Sequence, residues 1–256
     1  MASTGRRSFA TDMDHPRNHR TNRFLAALAP DDFAYLEPYL EIVSLPKSSV
    51  LYEAGEPIRY TYFPHDAIVS LVETMEDGRP VEVTMFGREG LFGLLSAFVS
   101  REALGRYVVQ TPGTASRIAV ERMHEAIRTC QSLQRLVSSY TEALLAQAFH
   151  TVACNTVHSV EARCCRWILS THDRIDQATV PLTHETLADM LGVQRSTVSI
   201  ILRSLQNSGL IVQRRGSVVV TNRAGLEQAA CECYGKIRSR FEKLLPGTYG
   251  RTGVSR

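Results

Sequence analysis

The segment from residue 182 to residue 211 constrains the fold more than any other part of the chain. It reads LTHETLADMLGVQRSTVSIILRSLQNSGLI. Apolar residues at Leu187, Ala188 and Leu191 predict the inner face of one helix, and Gly192 supplies a tight turn after it. A second helix follows, with apolar residues at spacings of three and four. These are Val198, Ile201, Leu202 and Leu205. The pattern predicts a helix-turn-helix, in which the second helix enters the major groove of DNA.

The polar side of the second predicted helix carries the residues that would meet DNA. Gln194, Arg195 and Ser196 occupy its N-terminal turn, the part of a recognition helix that enters the groove. Ser199 and Arg203 lie on the same polar side. A helical hairpin with a purely structural role meets part of this pattern, so the residues that follow are needed to distinguish the two interpretations.

A β-hairpin is predicted directly after the second helix. The run IVQRRGSVVVTN holds two short β-branched segments around Arg215-Gly216, and glycine suits the loop between them. A hairpin in this place is a wing. It would hold Arg214 and Arg215 near the phosphates that flank the groove, where a cation adds affinity but little sequence information.

The whole pattern, LTHETLADMLGVQRSTVSIILRSLQNSGLIVQRRGSVVV, resembles the winged-helix domain of Crp/Fnr-type bacterial transcription regulators. The resemblance extends more weakly through residues 24–175, where order and lengths match the family's sensor and dimerisation helix. It implies an α+β fold with an N-terminal β-roll (a cyclic-nucleotide-binding-like jelly roll), a long dimerisation helix and a C-terminal winged helix-turn-helix. It also implies a homodimer that binds a two-fold symmetric site on double-stranded DNA, with RNA polymerase as a further partner.

Two positions of the predicted recognition helix depart from the best-known members of that family. Ser196 stands where a glutamate is usual and Ile200 where an arginine is usual, so the target sequence is expected to differ, with a thymine methyl against Ile200. Arg195 is expected to bind guanine through its two-pronged guanidinium. The residues predicted to read bases are Gln194, Arg195, Ser196, Ser199 and Ile200. Those predicted to contact phosphates are Thr183, Thr197, Arg203, Arg214 and Arg215.

Short β-branched runs and turn signals alternate from about residue 40 to residue 118 and predict the strands of the roll. The predicted divisions are a disordered basic tail (1–23), the β-roll sensor (24–130), the dimerisation helix with its linker (131–158), the winged helix-turn-helix domain (159–223) and a C-terminal amphipathic helix with its tail (224–256). That last helix would pack back on the protein or offer a surface to a partner. Its predicted apolar stripe is Leu226, Ala230, Cys233, Ile237, Phe241 and Leu244.

The segment from Gln131 to His158 contains no proline or glycine and predicts one long helix. Apolar residues in its first half follow the four-three alternation of a coiled-coil seam. The residues predicted to form the dimer seam are Leu133, Val137, Tyr140 and Leu144. The alternative is a helix that packs these residues on its own β-roll.

Whether the roll binds a cyclic nucleotide depends on the run FGREGLFGLLSAF. In the members that bind cAMP, a glutamate follows the glycine and bonds the ribose, and an arginine binds the phosphate. Here Gly93 fills the glycine position, but Leu94 stands where the glutamate is expected. The candidate effector pocket is Gly93 with Arg101 and Arg106 as possible anion ligands, beside the alternative of a roll that binds nothing. No cofactor is predicted.

Six cysteines are present, without a C-x-x-C pair and without the N-terminal cluster of iron-sulfur members of the family. No metal site is therefore predicted, and packed, reduced thiols are the favoured interpretation. A thiol switch is the alternative, with Cys154 and Cys164 as its best members.

Charge is unevenly distributed along the chain. Residues 24–157 hold ten Lys/Arg against sixteen acids, and residues 158–256 hold fourteen against eight, so DNA would be attracted to the C-terminal part. No apolar run approaches the roughly 18 residues of a membrane span, and a cytoplasmic protein without a membrane partner is expected. Catalytic motifs are missing, so the chain is not expected to be an enzyme. The alternative function is a ligand-binding or protein-interaction module with a vestigial helix-turn-helix.

Overall fold

The computed structural model describes residues 18–175, 177–247 and 249 of the 256-residue chain. The predicted fold class is confirmed, because a β-roll, a long helix and a winged helix-turn-helix follow one another along the chain. Among the described residues, no helix combines the length and the apolar character needed to cross a bilayer. Residues 1–17, most of the predicted basic tail, lie outside the described residues.

Antiparallel strands form the roll as two facing sheets. They are β1 (Glu41–Leu45), β2 (Val50–Tyr52), β3 (Tyr60–Pro64), β4 (Ile68–Thr74), β5 (Pro80–Phe86), β6 (Arg106–Thr111) and β7 (Gly113–Ala119). One sheet has the order β1-β7-β3 and the other the order β2-β6-β4-β5. In the first sheet Val43 lies opposite Ala115. Neighbouring residues on a strand face opposite sides, so each sheet turns its apolar residues towards the space between them.

Aromatic rings fill the space between the two sheets. Tyr62 stacks on Phe92 with ring centroids 4.9 Å apart, and Phe92 lies 5.5 Å from Tyr107. Phe86 and Tyr52 pack on Tyr107 from other sides. All five rings are buried, so the interior of the roll is a close-packed core.

Residues 18–23 were predicted to belong to a disordered tail, and the structure corrects this boundary. Asn22 is fully buried, and its amide donates to the carbonyl oxygens of Pro64 at 2.8 Å and Gly90 at 2.9 Å. Its side-chain oxygen also caps α1 (Arg23–Ala26), which is followed by α2 (Pro30–Leu36). The partners of Asn22 are distant in sequence, so composition gave no sign of them.

Two helices follow the roll, α3 (Val120–Thr129) and α4 (Gln131–Val157). The prediction of a single long helix over residues 131–158 agrees with the extent of α4. Its exposed apolar side chains lie in its second half. They are Leu145, Phe149, Val152 and Val157.

The residues predicted to form the dimer seam face the chain's own core. Leu133, Val137 and Tyr140 are buried, and the Tyr140 hydroxyl donates to the carbonyl oxygen of Leu91 at 2.8 Å. Leu144 packs, partly buried, against the same interior. The prediction of these seam residues is wrong, because the four-three pattern marks the contact of α4 with its own roll.

The winged-helix domain begins after the long helix. Its elements are α5 (Val160–His172), β8 (Thr179–Pro181), α6 (His184–Leu191), α7 (Arg195–Asn207), β9 (Ile211–Arg214), β10 (Ser217–Val220) and α8 (Arg223–Ala229). The predicted wing is the hairpin β9-β10, and β8 extends it to a sheet of order β8-β10-β9. Helix α8 packs on α5, so this domain reaches beyond residue 223, where the sequence placed its end.

The C-terminal segment returns to the long helix. The predicted apolar stripe is divided between α8 and α9 (Cys233–Leu244), because the backbone is extended at Ala230 (ψ 154°). Helix α9 packs along α4, and its residues Ile237 and Phe241 join Phe24 and Tyr140 in one core. The segment therefore packs on its own chain.

Buried polar contacts join the roll to the winged-helix domain. The Arg174 guanidinium donates to the Glu89 carboxylate at 2.7 Å, with 3% and 2% of the two side chains exposed. Trp167 Nε1 donates to Glu82 Oε1 at 3.1 Å. Burial raises the pKa of Glu82, and hydrogen bonds from Ser70 and Trp167 oppose that shift.

Candidate functional site

The two helices of the helix-turn-helix are α6 and α7. The Thr183 hydroxyl caps α6 by accepting the backbone N–H of Thr186 at 3.1 Å. Gly192 ends that helix with a φ of 66°, a left-handed conformation in which any side chain with a Cβ is disfavoured. The inward faces of both helices are buried as predicted. These residues are Leu187, Ala188, Leu191, Val198, Ile201, Leu202 and Leu205.

The first turn of α7 points away from the protein. Gln194, Arg195 and Ser196 are exposed, and Ile200 follows on the same helix with 68% of its surface exposed. Arg195 Nε lies 3.8 Å from Glu185 Oε2, and both side chains are well exposed, so this pair is weak. The Arg195 guanidinium can therefore exchange that partner for a base.

His184 is a residue of this face that the sequence analysis missed. Its Nδ1 lies 2.9 Å from Ser199 Oγ, and its Nε2 lies 3.0 Å from Gln213 Oε1 in the wing. The imidazole thus joins the start of α6, the recognition helix and the wing. Ser199 also donates to the carbonyl oxygen of Arg195 at 3.0 Å, so its hydroxyl is more restrained than that of Ser196. A contact between three separate elements leaves no periodic signal in sequence.

The residues predicted to contact phosphates surround this face. Arg203, Arg214 and Arg215 are exposed, and Thr183 and Thr197 are half-buried near the first turns of α6 and α7. Arg214 and Arg215 of the wing line an open groove together with Glu185 and Arg195. Two cationic groups on the wing and one on the helix thus face the same groove, which favours a polyanion.

The structure does not assemble the predicted effector pocket. Gly93 has a φ of 85°, and a Cβ there would lie 2.4 Å from the carbonyl oxygen of Tyr60, so the glycine is needed for a close backbone contact. Arg106 is exposed and pairs with Glu53 at 3.2 Å, and Arg101 is also exposed. Both arginines are therefore exposed to solvent and are not buried among the rings of the roll.

Cys154 and Cys164, the two best members of the alternative thiol switch, belong to different core clusters. Cys164 lies in the core of the winged-helix domain, and burial raises the pKa of its thiol. Cys154 instead lies at the end of α4, where its sulfur is 3.4 Å from that of Cys231. The chain returns from the winged helix to the long helix at this point, so two cysteines 77 positions apart become neighbours.

Comparisons with known proteins agree with this architecture. Residues 42–130 match the family described as the cyclic nucleotide-binding domain, and residues 162–229 match the Crp-like helix-turn-helix domain. Transcriptional regulator LdrP of Thermus thermophilus is 29% identical over 198 residues, which cover 72% of this chain and 94% of that protein. The global nitrogen regulator of Synechococcus elongatus is 23% identical over 199 residues, covering 74% and 89% of the two chains.

A solved structure shows the same fold. FixK2 from Bradyrhizobium japonicum superposes with a TM-score of 0.66 at 19% identity, over 75% of this chain and 98% of that one. These relatives match 72–75% of this chain and 89–98% of their own length.

Proposed function

The chain belongs to the Crp/Fnr family of bacterial transcription regulators, and we propose that it binds two-fold symmetric promoter sites as a homodimer. One observation carries this proposal. Gln194, Arg195, Ser196 and Ile200 lie exposed at the start of α7, and the arginines of the wing stand beside them. This is the arrangement in which a recognition helix enters the major groove while a wing contacts the flanking backbone.

Base contacts are assigned to the first turns of α7. Arg195 binds guanine O6 and N7 with its two-pronged guanidinium, and Ile200 contacts a thymine methyl. Gln194 and Ser196 complete the set as adaptable hydrogen-bonding groups. Ser199 contributes less, because His184 and the Arg195 carbonyl already occupy its hydroxyl.

Phosphate contacts are assigned to residues around this face. Arg203, Arg214 and Arg215 supply exposed cations. Thr183 and Thr197 lie at helix N-termini, where backbone N–H groups and the helix dipole attract a phosphate. These contacts fix the position of the protein on the duplex and carry little sequence information.

The homodimer is proposed to form along the second half of α4. Leu145, Phe149 and Val152 follow one another at spacings of four and three, and each is more than half exposed. Such a stripe buries itself against its symmetric copy. A dimer built in this way presents two recognition helices to successive major grooves.

The signal that controls the proposed regulator differs from cAMP bound in the usual way. Leu94 is fully buried where cAMP-binding members carry the ribose-binding glutamate, and aromatic rings occupy the roll. A promoter-binding regulator acts in the cytoplasm and in contact with RNA polymerase, so the proposed function includes both. It includes no catalytic step.

Selection of bound duplexes from a random pool tests this function. The purified protein is expected to enrich a palindrome whose half-sites lie about one helical turn apart. The matched variant Ile200→Arg restores the residue usual in the family and is expected to replace the preferred thymine by a guanine in each half-site. Recovery of no common sequence, or of the same half-site from both proteins, would contradict the proposed recognition helix.

A further inference from the structure

Three thiols and one imidazole meet where the long helix joins the winged-helix domain. Their ligating atoms, from Cys154, His158, Cys231 and Cys233, all lie within 4.8 Å of one another. Cys154 belongs to the last turn of α4, His158 follows that helix, and Cys231 and Cys233 stand at the start of α9. All three cysteines are buried, and the His158 side chain is 20% exposed. The cluster therefore joins two distant parts of the chain at a sheltered site.

The spacing of these atoms fits one tetrahedral ion. A zinc ion with Zn–S bonds of about 2.3 Å and Zn–N bonds of about 2.0 Å places two sulfur ligands about 3.8 Å apart and a sulfur and a nitrogen about 3.5 Å apart. The sulfur atoms of Cys154 and Cys231 are 3.4 Å apart, and Cys233 Sγ lies 3.6 Å from His158 Nδ1. An iron-sulfur cluster divides its protein ligands among two or more irons, so ligands of different irons lie farther apart than the 4.8 Å that spans this whole set.

The histidine is oriented for ligation through Nδ1. Its other ring nitrogen, Nε2, lies 2.9 Å from the Glu232 carboxylate. A carboxylate that holds the proton on one nitrogen leaves the other as an unprotonated ligand, which is the usual outer contact of a zinc-bound histidine. Glu232 itself stands between Cys231 and Cys233, so the same turn supplies two sulfur ligands and the group that orients the imidazole.

Positive charge lies beside the thiols. Arg163 Nε and Arg166 Nε are buried and have no hydrogen-bond partner among the described residues. Both guanidinium groups are close enough to the Cys154 sulfur to interact with it electrostatically. Three thiolates and one zinc ion carry a net charge of −1, which these arginines would balance.

We propose that Cys154, His158, Cys231 and Cys233 bind one zinc ion as a closed structural site. The expectation of no metal in this chain followed from the absence of a C-x-x-C pair, but here the fold brings the ligands together from two segments. With four protein ligands and no open position, the ion has no catalytic role. It fixes the end of α4 to the start of α9, beside the junction from which the winged-helix domain extends.

Metal content and cobalt substitution test the site on the full-length protein. Protein purified with reductant and without added chelator is expected to carry about one zinc per chain. Co²⁺ added to the metal-free protein is expected to give the intense visible bands of tetrahedral Co²⁺ and near-ultraviolet bands of cobalt-thiolate bonds. A reduced protein that binds neither ion would overturn the proposal, as would a spectrum of six-coordinate Co²⁺.

Variants separate the site from a general effect of thiol loss. Cys231→Ala removes one of three thiolates, so it is expected to weaken metal binding and to lower the cobalt-thiolate absorbance, whereas Cys130→Ala, which removes a buried thiol elsewhere, is expected to retain both. Because Cys231→Ala can also disturb folding, Glu232→Gln provides a second test at an exposed side chain. It is expected to weaken zinc affinity about 10- to 100-fold, as loss of an outer carboxylate does. Unchanged affinity in Glu232→Gln would contradict the assigned role of His158.

Hydrogen exchange tests the structural consequence. Removal of zinc is expected to speed amide exchange in α9 and at the end of α4, and to leave α7 unchanged. Equal exchange rates in α9 with and without zinc would show that the ion does not hold this junction. A Cys154–Cys231 disulfide in protein purified without reductant, found as four rather than six titratable thiols, would replace the metal site by a thiol switch. None of these measurements uses DNA, so failure of the zinc site can be distinguished from failure of the proposed promoter recognition.

Discussion

The interior of the β-roll and the recognition surface of α7 differ in what their side chains contact within one chain. In the roll, Tyr62, Phe92 and Tyr107 pack on one another and are buried. On α7, Arg195 and Ile200 extend into solvent with few partners. The roll is complete in a single chain, whereas the recognition surface is incomplete until DNA arrives.

This difference separates stability from binding. A substitution among buried contacts within the chain changes the free energy of unfolding, because the partners of the lost group remain buried. A substitution of an exposed side chain leaves the fold nearly unchanged and alters the affinity for a partner outside the chain. The exposed stripe of α4 belongs with the second class, since its proposed partner is a second copy of the chain.

The largest effect is expected at the buried ion pair of Arg174 and Glu89, which joins the roll to the winged-helix domain. Glu89→Gln leaves the Arg174 guanidinium buried without its main counter-ion, so the free energy of unfolding is expected to fall by about 3 to 5 kcal/mol. Urea denaturation measures this loss. Glu53→Gln breaks the exposed pair with Arg106 and should cost at most about 1 kcal/mol. Similar losses of unfolding free energy in both variants would contradict the distinction between buried and exposed contacts.

The next effect concerns the dimer. Phe149→Glu places a charge in the apolar stripe of α4, and self-association is expected to weaken about tenfold or more while the chain stays folded. Analytical ultracentrifugation measures the monomer-dimer equilibrium. Val212→Glu adds the same charge to an exposed apolar residue of the wing and serves as the control. Equal self-association of the two variants would place the interface elsewhere.

The loss of a base contact follows. Arg195→Ala should weaken binding to the selected site by about 1 to 3 kcal/mol and relax one base position. The free energy of unfolding should change by less than about 0.5 kcal/mol, because the Arg195 side chain is exposed. Titration of labelled duplexes of selected and random sequence provides the measurement. An equal loss on both duplexes would assign Arg195 to the backbone instead.

The smallest effect is expected at the wing. Arg215→Ala removes one exposed cation near the phosphates, so binding should weaken alike on all sequences. The slope of log affinity against log salt should decrease in magnitude by about one. Repeating the titrations over a range of salt concentrations tests this. A changed base preference with an unchanged slope would mean that Arg215 reads bases.

The sequence predicts the winged helix well because its signals are local. The inward faces of α6 and α7 recur every three or four residues, and the turn needs the positive φ that Gly192 adopts. The strands and turns of the roll were predicted for the same reason. Periodicity and turn chemistry lie within a few residues of each other, so no knowledge of distant partners is required.

The errors share a physical cause, which is contact between residues far apart in sequence. The apolar side of α4 identifies a buried face but not what covers it, so Leu133 and Val137 were assigned to a second chain although the roll covers them. The partner of Cys154 is 77 residues away, beyond any spacing rule. His184 went unnoticed on the recognition surface because its partners belong to two other elements.

The return of α9 to α4 also limits how the winged-helix domain can move. A domain joined to its neighbour by one peptide connection can rotate about three axes. Here the chain leaves the long helix at His158 and comes back to it at Cys231, so the domain has two attachments to the same helix end. Two attachments restrict rotation of the domain mainly to one axis, the line that passes through both of them. A change of state in the roll that releases the buried Arg174–Glu89 pair would then swing the recognition helix along one fixed arc, which makes its position a single mechanical variable.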